Sequence, residues 1–283
     1  MIHEIEPMQY HVEYHDLQPT AEDTVFLFDG NGLFHRLDQD EIVFPKFRDL
    51  EESVEAYAAR AISFRYLFSI ENERFFMPDI HNEDSVTVPE AFSLTTSNMF
   101  RITPQHLAFA CVTAQQLRQW YSSRCFCGRC GTKIKHSDIE RAMVCPECGL
   151  IEYPKLSPVV ILGVTHGDSI LVTRYKDRPG NYALIAGFCE IGESLEDAAR
   201  REVYEETGVH IKEITYYKSQ PWALSSSLIS GFFCKLEGDP HIHMDEQELS
   251  EAIWLPREEL PPLMNTFALT AEMMEMFRIG EIR

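Results

Sequence analysis

Three carboxylates in one short stretch are the side chains of this chain best placed to do chemistry. The stretch runs from Gly187 to Val209, GFCEIGESLEDAARREVYEETGV, and contains Glu202, Glu205 and Glu206. Helical spacing makes Glu202 and Glu206 i,i+4 neighbours and puts Glu205 three residues after Glu202, so the three share one face. Like charges this close repel unless a cation sits among them, and an oxygen-rich, partly open cluster suits Mg2+ or Mn2+. Arg201 can pair with Glu205 or with Glu193 and hold the acids in place. Ser194, with Asp197 three residues later, is the expected N-cap, and Gly208 the expected left-handed stop. Leu195, Ala198, Ala199 and Val203 form an apolar stripe that can pack on a sheet. For the acids alone, a solvated helix face in an acidic protein is the competing reading.

The flanking residues reverse that balance. Glu193 follows Gly187 by six positions, Arg201 follows by eight more, and Glu202, Val203, Glu205, Glu206, Gly208 and Val209 complete the run. This resembles a full Nudix box, G-x5-E-x7-R-E-U-x-E-E-x-G-U, where U is a bulky aliphatic residue. The resemblance implies metal-assisted hydrolysis of a nucleoside diphosphate linkage. The metal neutralises phosphate charge and lowers the pKa of an attacking water, while a carboxylate takes the proton. It implies metal binding at Glu202, Glu205 and Glu206, with Glu206 the first choice for the essential carboxylate. Gly187, Glu193, Arg201 and Gly208 are then the structural members of the box.

A second metal is expected upstream. Cys127-Gly128-Arg129-Cys130 and Cys145-Pro146-Glu147-Cys148 are separated by 14 residues, the pattern of a four-cysteine zinc ribbon. Gly131 and Gly149 follow the two knuckles and permit the tight turns that aim both thiolates at one ion. Paired disulfides and reduced core cysteines are the alternatives. The opening MIHEIEPMQYHVEY has no basic or apolar signal region, and no apolar run reaches membrane-span length, so a reducing cytoplasmic setting is expected. There such knuckles favour zinc, one ion per chain. Cys125 competes through a C-x-C spacing that chelates less well. Cys111, Cys189 and Cys234 read as buried thiols.

A four-cysteine ribbon followed by this box resembles the zinc-ribbon NADH pyrophosphatase (NAD+ diphosphatase) family. The family's SQPWPFPxS segment is met here by Ser219-Gln220-Pro221-Trp222-Ala223-Leu224-Ser225-Ser226-Ser227, in which Ala-Leu-Ser replaces Pro-Phe-Pro. Further matches are Glu140-Arg141-Ala142-Met143, Tyr153-Pro154, Ala186-Gly187-Phe188 and Glu248 to Trp254. They cover roughly residues 110 to 275. The resemblance implies that Glu248 and the Ala186 backbone help bind the catalytic metal. It implies substrate contact at Glu140, Tyr153, Phe188, Gln220, Pro221, Trp222, Ala223, Leu224, Ser225, Ser226, Ser227 and Ala268. Phe188 and Tyr153 offer flat faces on which a base can stack, with core packing as the alternative for each. Gln220 and Ser227 can donate to phosphate or ribose oxygens. His241 and His243 alternate as on a strand but have no third ligand at fitting spacing.

The expected activity is therefore hydrolysis of the pyrophosphate of NAD(H) to NMN(H) and AMP. Removal of NAD caps from RNA 5′ ends is a second activity that the resemblance raises. The altered loop favours ADP-ribose or another dinucleotide as the alternative substrate, and a non-catalytic zinc-ribbon nucleotide-binding module is the alternative of another class. A formal net charge of −20, from 25 basic and 45 acidic residues, argues against binding along a nucleic-acid backbone. The ribbon's Arg124, Arg129, Lys133, Lys135 and Arg141 do not outweigh it. Relatives resemble one another in forming homodimers, so a homodimer is expected, with no membrane partner.

These groups need elements to position them. The fold class expected is α+β: an N-terminal α/β domain, mostly β or α+β, at 1–110, a linking helix at 111–123, the ribbon at 124–152, and a Nudix α/β/α sandwich with a mixed sheet at 153–283. Thr113 is the expected cap of the linking helix. VVILGVTH and SILVTRY flank the turn Gly167-Asp168, a hairpin signal. IKEITYYKSQ, SLISGFFCKL and EAIWL are strand candidates, and TFALTAEMMEMFRI has helical apolar spacing.

Overall fold

The computed structural model describes residues 1–282 except 31, 40, 51, 81–84, 96–101, 177–179, 181 and 263–266. The chain divides into two compact units, Ile2–Lys155 and Leu156–Arg283, the second of which includes Met1.

In the first unit, β1 (Tyr10–His11), β2 (Thr24–Val25), β6 (Phe64–Ile70) and β7 (Glu73–Pro78) form a sheet of order β1-β6-β7-β2, parallel only between β2 and β7. A smaller sheet combines β3 (Phe28–Asp29), β4 (Gly32–Asp38), β5 (Glu41–Val43) and β8 (Ser93–Thr95). α1 (Val54–Ala59) delivers Tyr57 to a core with Phe47, Phe64, Tyr66 and Phe76, where rings meet edge to face. α2 spans Gln105–Ser123. The helix thus begins well before Thr113, which sits inside it, and Pro104 rather than a side-chain cap precedes its first turn. Ala108 to Val112 are all buried, so this turn of the helix is enclosed on every side. The ribbon adds β9 (Lys135–His136), β10 (Met143–Val144) and β11 (Ile151–Glu152) in a small antiparallel sheet.

The second unit is built on β12 (Ser157–His166), β13 (Ser169–Tyr175), β14 (Ile185–Phe188), β15 (His210–Trp222), β16 (Ser227–Glu237) and β17 (Leu249–Pro256). Their order is β15-β16-β12-β13-β17, with β14 paired to β12; β12 and β16 run parallel and the other pairs antiparallel. Side chains alternate across a strand, so the apolar run of β12 serves both faces. Val160, Leu162 and Val164 pack with Ala198, Ala199 and Val203 of α3 (Leu195–Thr207). Val159 and Ile161 pack with Leu269, Met273, Met274 and Phe277 of α4 (Leu269–Arg278). A mixed sheet between two helices is the expected sandwich. Thr266, the first residue of the expected helical tail, lies outside the described residues. The close approach of α4 depends on Gly231, where a Cβ would lie 2.7 Å from the Met273 sulfur.

Candidate functional site

The box turns into structure as its spacing requires. The Ser194 hydroxyl accepts from the Asp197 amide at 3.1 Å, and Gly208 ends α3 at φ +68°. Gly187 lies so close beneath Glu202 that an added Cβ would fall 1.8 Å from that residue's carboxyl carbon. Arg201 ties the preceding loop to the helix. Its Nε and Nη2 donate to the two oxygens of Glu193 at 2.6 and 2.8 Å. Its Nη1 donates to Glu202 at 2.7 Å and Glu205 at 3.0 Å, and Nη2 also reaches the Phe188 carbonyl at 2.9 Å. The guanidinium holds Glu193 down to about 2. Burial raises Glu202 above the usual carboxylate range, with Arg201 pulling it back.

Glu206 is set apart from this network. It is 5 % exposed, and the Tyr175 hydroxyl donates to its two oxygens at 3.2 and 3.3 Å. Burial pushes it up to about 8; the Tyr175 hydrogen bond opposes this, and the charges of Glu202, Glu248 and Asp245 add to it. The backbone N–H of Asp245 also caps the Glu206 carbonyl at 2.9 Å, which brings the acidic segment 245–248 to the C-terminal end of α3. Spacing alone did not single out Tyr175, since a tyrosine ending a strand carries no signal of its own. Asp245 was visible only as one of several acids.

The acid cluster fits a hard divalent cation. Its donors are all oxygens, and among the described residues the Arg201 guanidinium is shared by Glu193, Glu202 and Glu205. No Lys or Arg pairs with Glu206 among the described residues. A cation would supply the missing counter-charge.

Beside the acids lies a cavity of about 720 Å³. Its walls include Ala186, Gly187 and Phe188 of β14, Val159 and Ile161 of β12, Gln220 and Trp222 at the end of β15, and Leu224, Ser225, Ser227, Ile229, Ala268 and Tyr175. Phe188 remains 53 % exposed, so its ring is a rim surface rather than core. Gln220 and Trp222 face the cavity while Pro221, between them, is exposed and outside the lining, as strand alternation requires. Ala223 and Ser226 also lie outside it: the chain makes a 3-10 turn at Ala223–Ser225 and Ser226 takes φ +51° to re-enter the sheet. The Gln220 amide is engaged by backbone at both ends. It donates to the Phe267 carbonyl at 2.6 Å and accepts from the Leu269 N–H at 2.7 Å, fixing the segment that presents Ala268. Ser227 is buried and shares a hydroxyl contact of 2.8 Å with Ser225. Glu140 and Tyr153 belong to the first unit, where the Tyr153 hydroxyl donates to Glu140 at 3.1 Å.

The cysteines are brought together differently. The Sγ atoms of Cys127, Cys130, Cys145 and Cys148 all lie within 4.8 Å of one another, and among the described residues no three carboxylates gather as closely. Cys127–Cys148 and Cys130–Cys145 are 3.5 Å apart, near the edge of about 3.8 Å for a tetrahedron with zinc–sulfur bonds of about 2.3 Å. Backbone N–H groups of Arg129 and Cys148 point at the sulfurs of Cys127 and Cys145. Gly131 and Gly149 take φ +75° and +70°, the turns expected of the two knuckles. Hydrogen bonds from Thr132 hold Cys130 down to about 6. The donor set fits structural zinc. Cys125 stands outside it, turned to the Ser122 carbonyl. Cys111 and Cys234 are buried, and His241 meets His243 edge to face at 4.6 Å with no third ligand among the described residues.

Residues 155–277 match the NUDIX domain and residues 121–153 the NADH pyrophosphatase zinc ribbon domain. A protein of Pseudomonas aeruginosa (strain LESB58) named NAD-capped RNA hydrolase NudC is 40% identical over 166 residues, 58% of this chain and 59% of that protein. The protein of the same name from Vibrio parahaemolyticus serotype O3:K6 is 37% identical over 173 residues, 61% of this chain and 66% of that one. The matched stretch thus spans less than two thirds of either relative's length. The crystal structure of a NUDIX hydrolase from Nitrosomonas europaea is 22% identical with a TM-score of 0.48, covering 55% of this chain and 92% of that chain. With both domain matches adjoining at the residues that carry the two clusters, the chain carries a NUDIX domain and, directly before it, the zinc ribbon domain of the NADH pyrophosphatases.

Proposed function

We propose that the protein hydrolyses the pyrophosphate bond of NAD(H) to NMN(H) and AMP, with NAD-capped RNA 5′ ends as a second substrate. The observation that carries this reading is that Tyr175 and Gly187, which line a cavity of about 720 Å³ with an exposed aromatic rim, also lie against Glu206 and Glu202, where no Lys or Arg among the described residues pairs with Glu206. A dinucleotide presents both chemistries, a flat ring and a charged diphosphate. The names of the two bacterial relatives support the choice of NAD over other dinucleotides.

Glu202, Glu205, Glu206 and Glu248, with the Ala186 backbone, would hold the divalent ion, taken here as Mg2+ or Mn2+. When bound, that ion supplies charge neutralisation at the phosphates and a more acidic water. Glu206 receives the proton as water adds to phosphorus and the bridging P–O bond breaks. Arg201 keeps Glu202 and Glu205 in place through the turnover. Phe188 and Trp222 bound the space for the base, and Gln220 positions the Ala268 wall. The ribbon's zinc is structural. No helix among the described residues is long and apolar enough to cross a membrane. A cytoplasmic homodimer is the setting in which we place the activity.

The second substrate reading rests on Leu224, 61 % exposed where the family's loop carries Pro-Phe-Pro, which leaves that wall open to ADP-ribose or other dinucleotides. Parallel hydrolysis of NADH, NAD+, ADP-ribose, diadenosine polyphosphates and NAD-capped RNA with each metal tests the choice. The highest kcat/KM is expected on NADH or NAD+. A clear win for ADP-ribose overturns the substrate assignment, and no hydrolysis at all leaves a nucleotide-binding module.

A further inference from the structure

We infer that Tyr175 is a positioning residue whose hydroxyl fixes the carboxylate of Glu206, an inference resting on the reading of Glu206 as the essential carboxylate. The site divides its donors. Arg201 serves Glu193, Glu202 and Glu205, whereas Glu206 receives its hydrogen bond from Tyr175. The distances of 3.2 and 3.3 Å to its two oxygens place the phenol near the carboxylate bisector. One proton then serves either oxygen, and the lone pairs directed away from the ring stay free.

The backbone makes this placement rigid. Tyr175 ends β13 at a register irregularity and lies opposite Leu249, the residue after Glu248. The next N–H, of Lys176, donates to the Glu248 carbonyl at 3.0 Å. A single sheet edge therefore carries the donor to Glu206 and the backbone of a second acid, and irregularities of this kind re-aim side chains beside active sites. The Tyr175 ring also lines the cavity, so it stands at the boundary between ring pocket and acid cluster. Packing alone would be served as well by phenylalanine. The ring is half-buried, and its hydroxyl donates to the acid with the Ala186 backbone and the Thr173 side chain also beside it. Groups that orient metal-site ligands are typically worth about 10–100-fold in metal affinity or activity.

Tyr175→Phe in the full chain is the test. Expected are a fall in kcat of about 10–100-fold, an unchanged dinucleotide KM, and a comparably weakened Mn2+ dissociation constant read by electron paramagnetic resonance without substrate. The melting temperature should be unchanged. In a Glu206→Gln background the same substitution should weaken Mn2+ binding no further, because the pair acts as one unit. Wild-type kcat and Mn2+ affinity in Tyr175→Phe, or an equal extra loss in the Glu206→Gln background, overturns the positioning role. Full turnover by Glu206→Gln alone overturns the reading of Glu206 as the essential carboxylate, whatever Tyr175→Phe does.

Discussion

The four-cysteine cluster and the acid cluster of this chain are organised on opposite principles. The ribbon's four sulfurs already converge to within 4.8 Å, because each knuckle is a local turn with a left-handed glycine and N–H groups aimed at sulfur. The acids of α3 and segment 245–248 do not converge as tightly. Their charges repel, one guanidinium holds three glutamates on one side, and a phenol holds the fourth on the other. Backbone N–H groups and Thr132 hydrogen-bond the ribbon's sulfurs, so the knuckles can close ahead of their metal. Neighbouring carboxylates repel one another, so an acid site stays open until an ion enters it. A closed cluster suits structure and an open one suits turnover.

The largest effect that separates the two is expected at the ribbon. Cys145→Ser should abolish the single equivalent of zinc and unfold the ribbon, since structural zinc contributes on the order of 10 kcal/mol in isolated fingers. Metal analysis and thermal melting check this, and retained zinc with an unchanged melt would break the comparison. The wild-type zinc should survive dialysis against chelators that strip the catalytic ion. Next comes Glu206→Gln, expected to lower kcat by about 10²–10⁴-fold, the usual range for a lost proton acceptor, while nucleotide binding survives. Its melting temperature in chelator should not fall, because the amide no longer meets the charges of Glu202, Glu248 and Asp245.

A smaller change should follow Gly187→Ala, whose Cβ collides with Glu202. The displacement should cost about 1–3 kcal/mol of stability and weaken Mn2+ binding, read by melting and titration. Unchanged values for both would mean that the close approach of Gly187 to Glu202 is incidental. Smallest is Arg201→Lys, which keeps the charge but loses the two-pronged hold on Glu193. About a tenfold loss of kcat is expected, against a zinc content that does not move.

The chain's local order was legible where one element sufficed. The knuckles, the cap at Ser194, the stop at Gly208 and the hairpin at Gly167 each follow from spacing over a few residues. The start of α2 was misplaced because a continuous apolar run has no period by which to find its end, and Pro104 offers no capping signal. The aromatic rings at Phe188 and in the N-terminal unit look alike in sequence, yet one is half exposed and Phe26, Phe68, Phe75 and Phe76 are fully buried.

What the sequence by itself determined is which residue types meet within a helix or a turn: the acids of α3, their arginine, and the four sulfurs. Only the tertiary structure decided how each acid is treated. It brought Tyr175 from 31 positions away to Glu206 and used up Gln220 as a brace for the Ala268 wall. Local spacing fixes neighbours along one element through helix and turn geometry. Burial, counter-charge and the identity of a hydrogen-bond donor depend on which elements pack together, and that is settled only when the whole sheet and its helices close on their shared core.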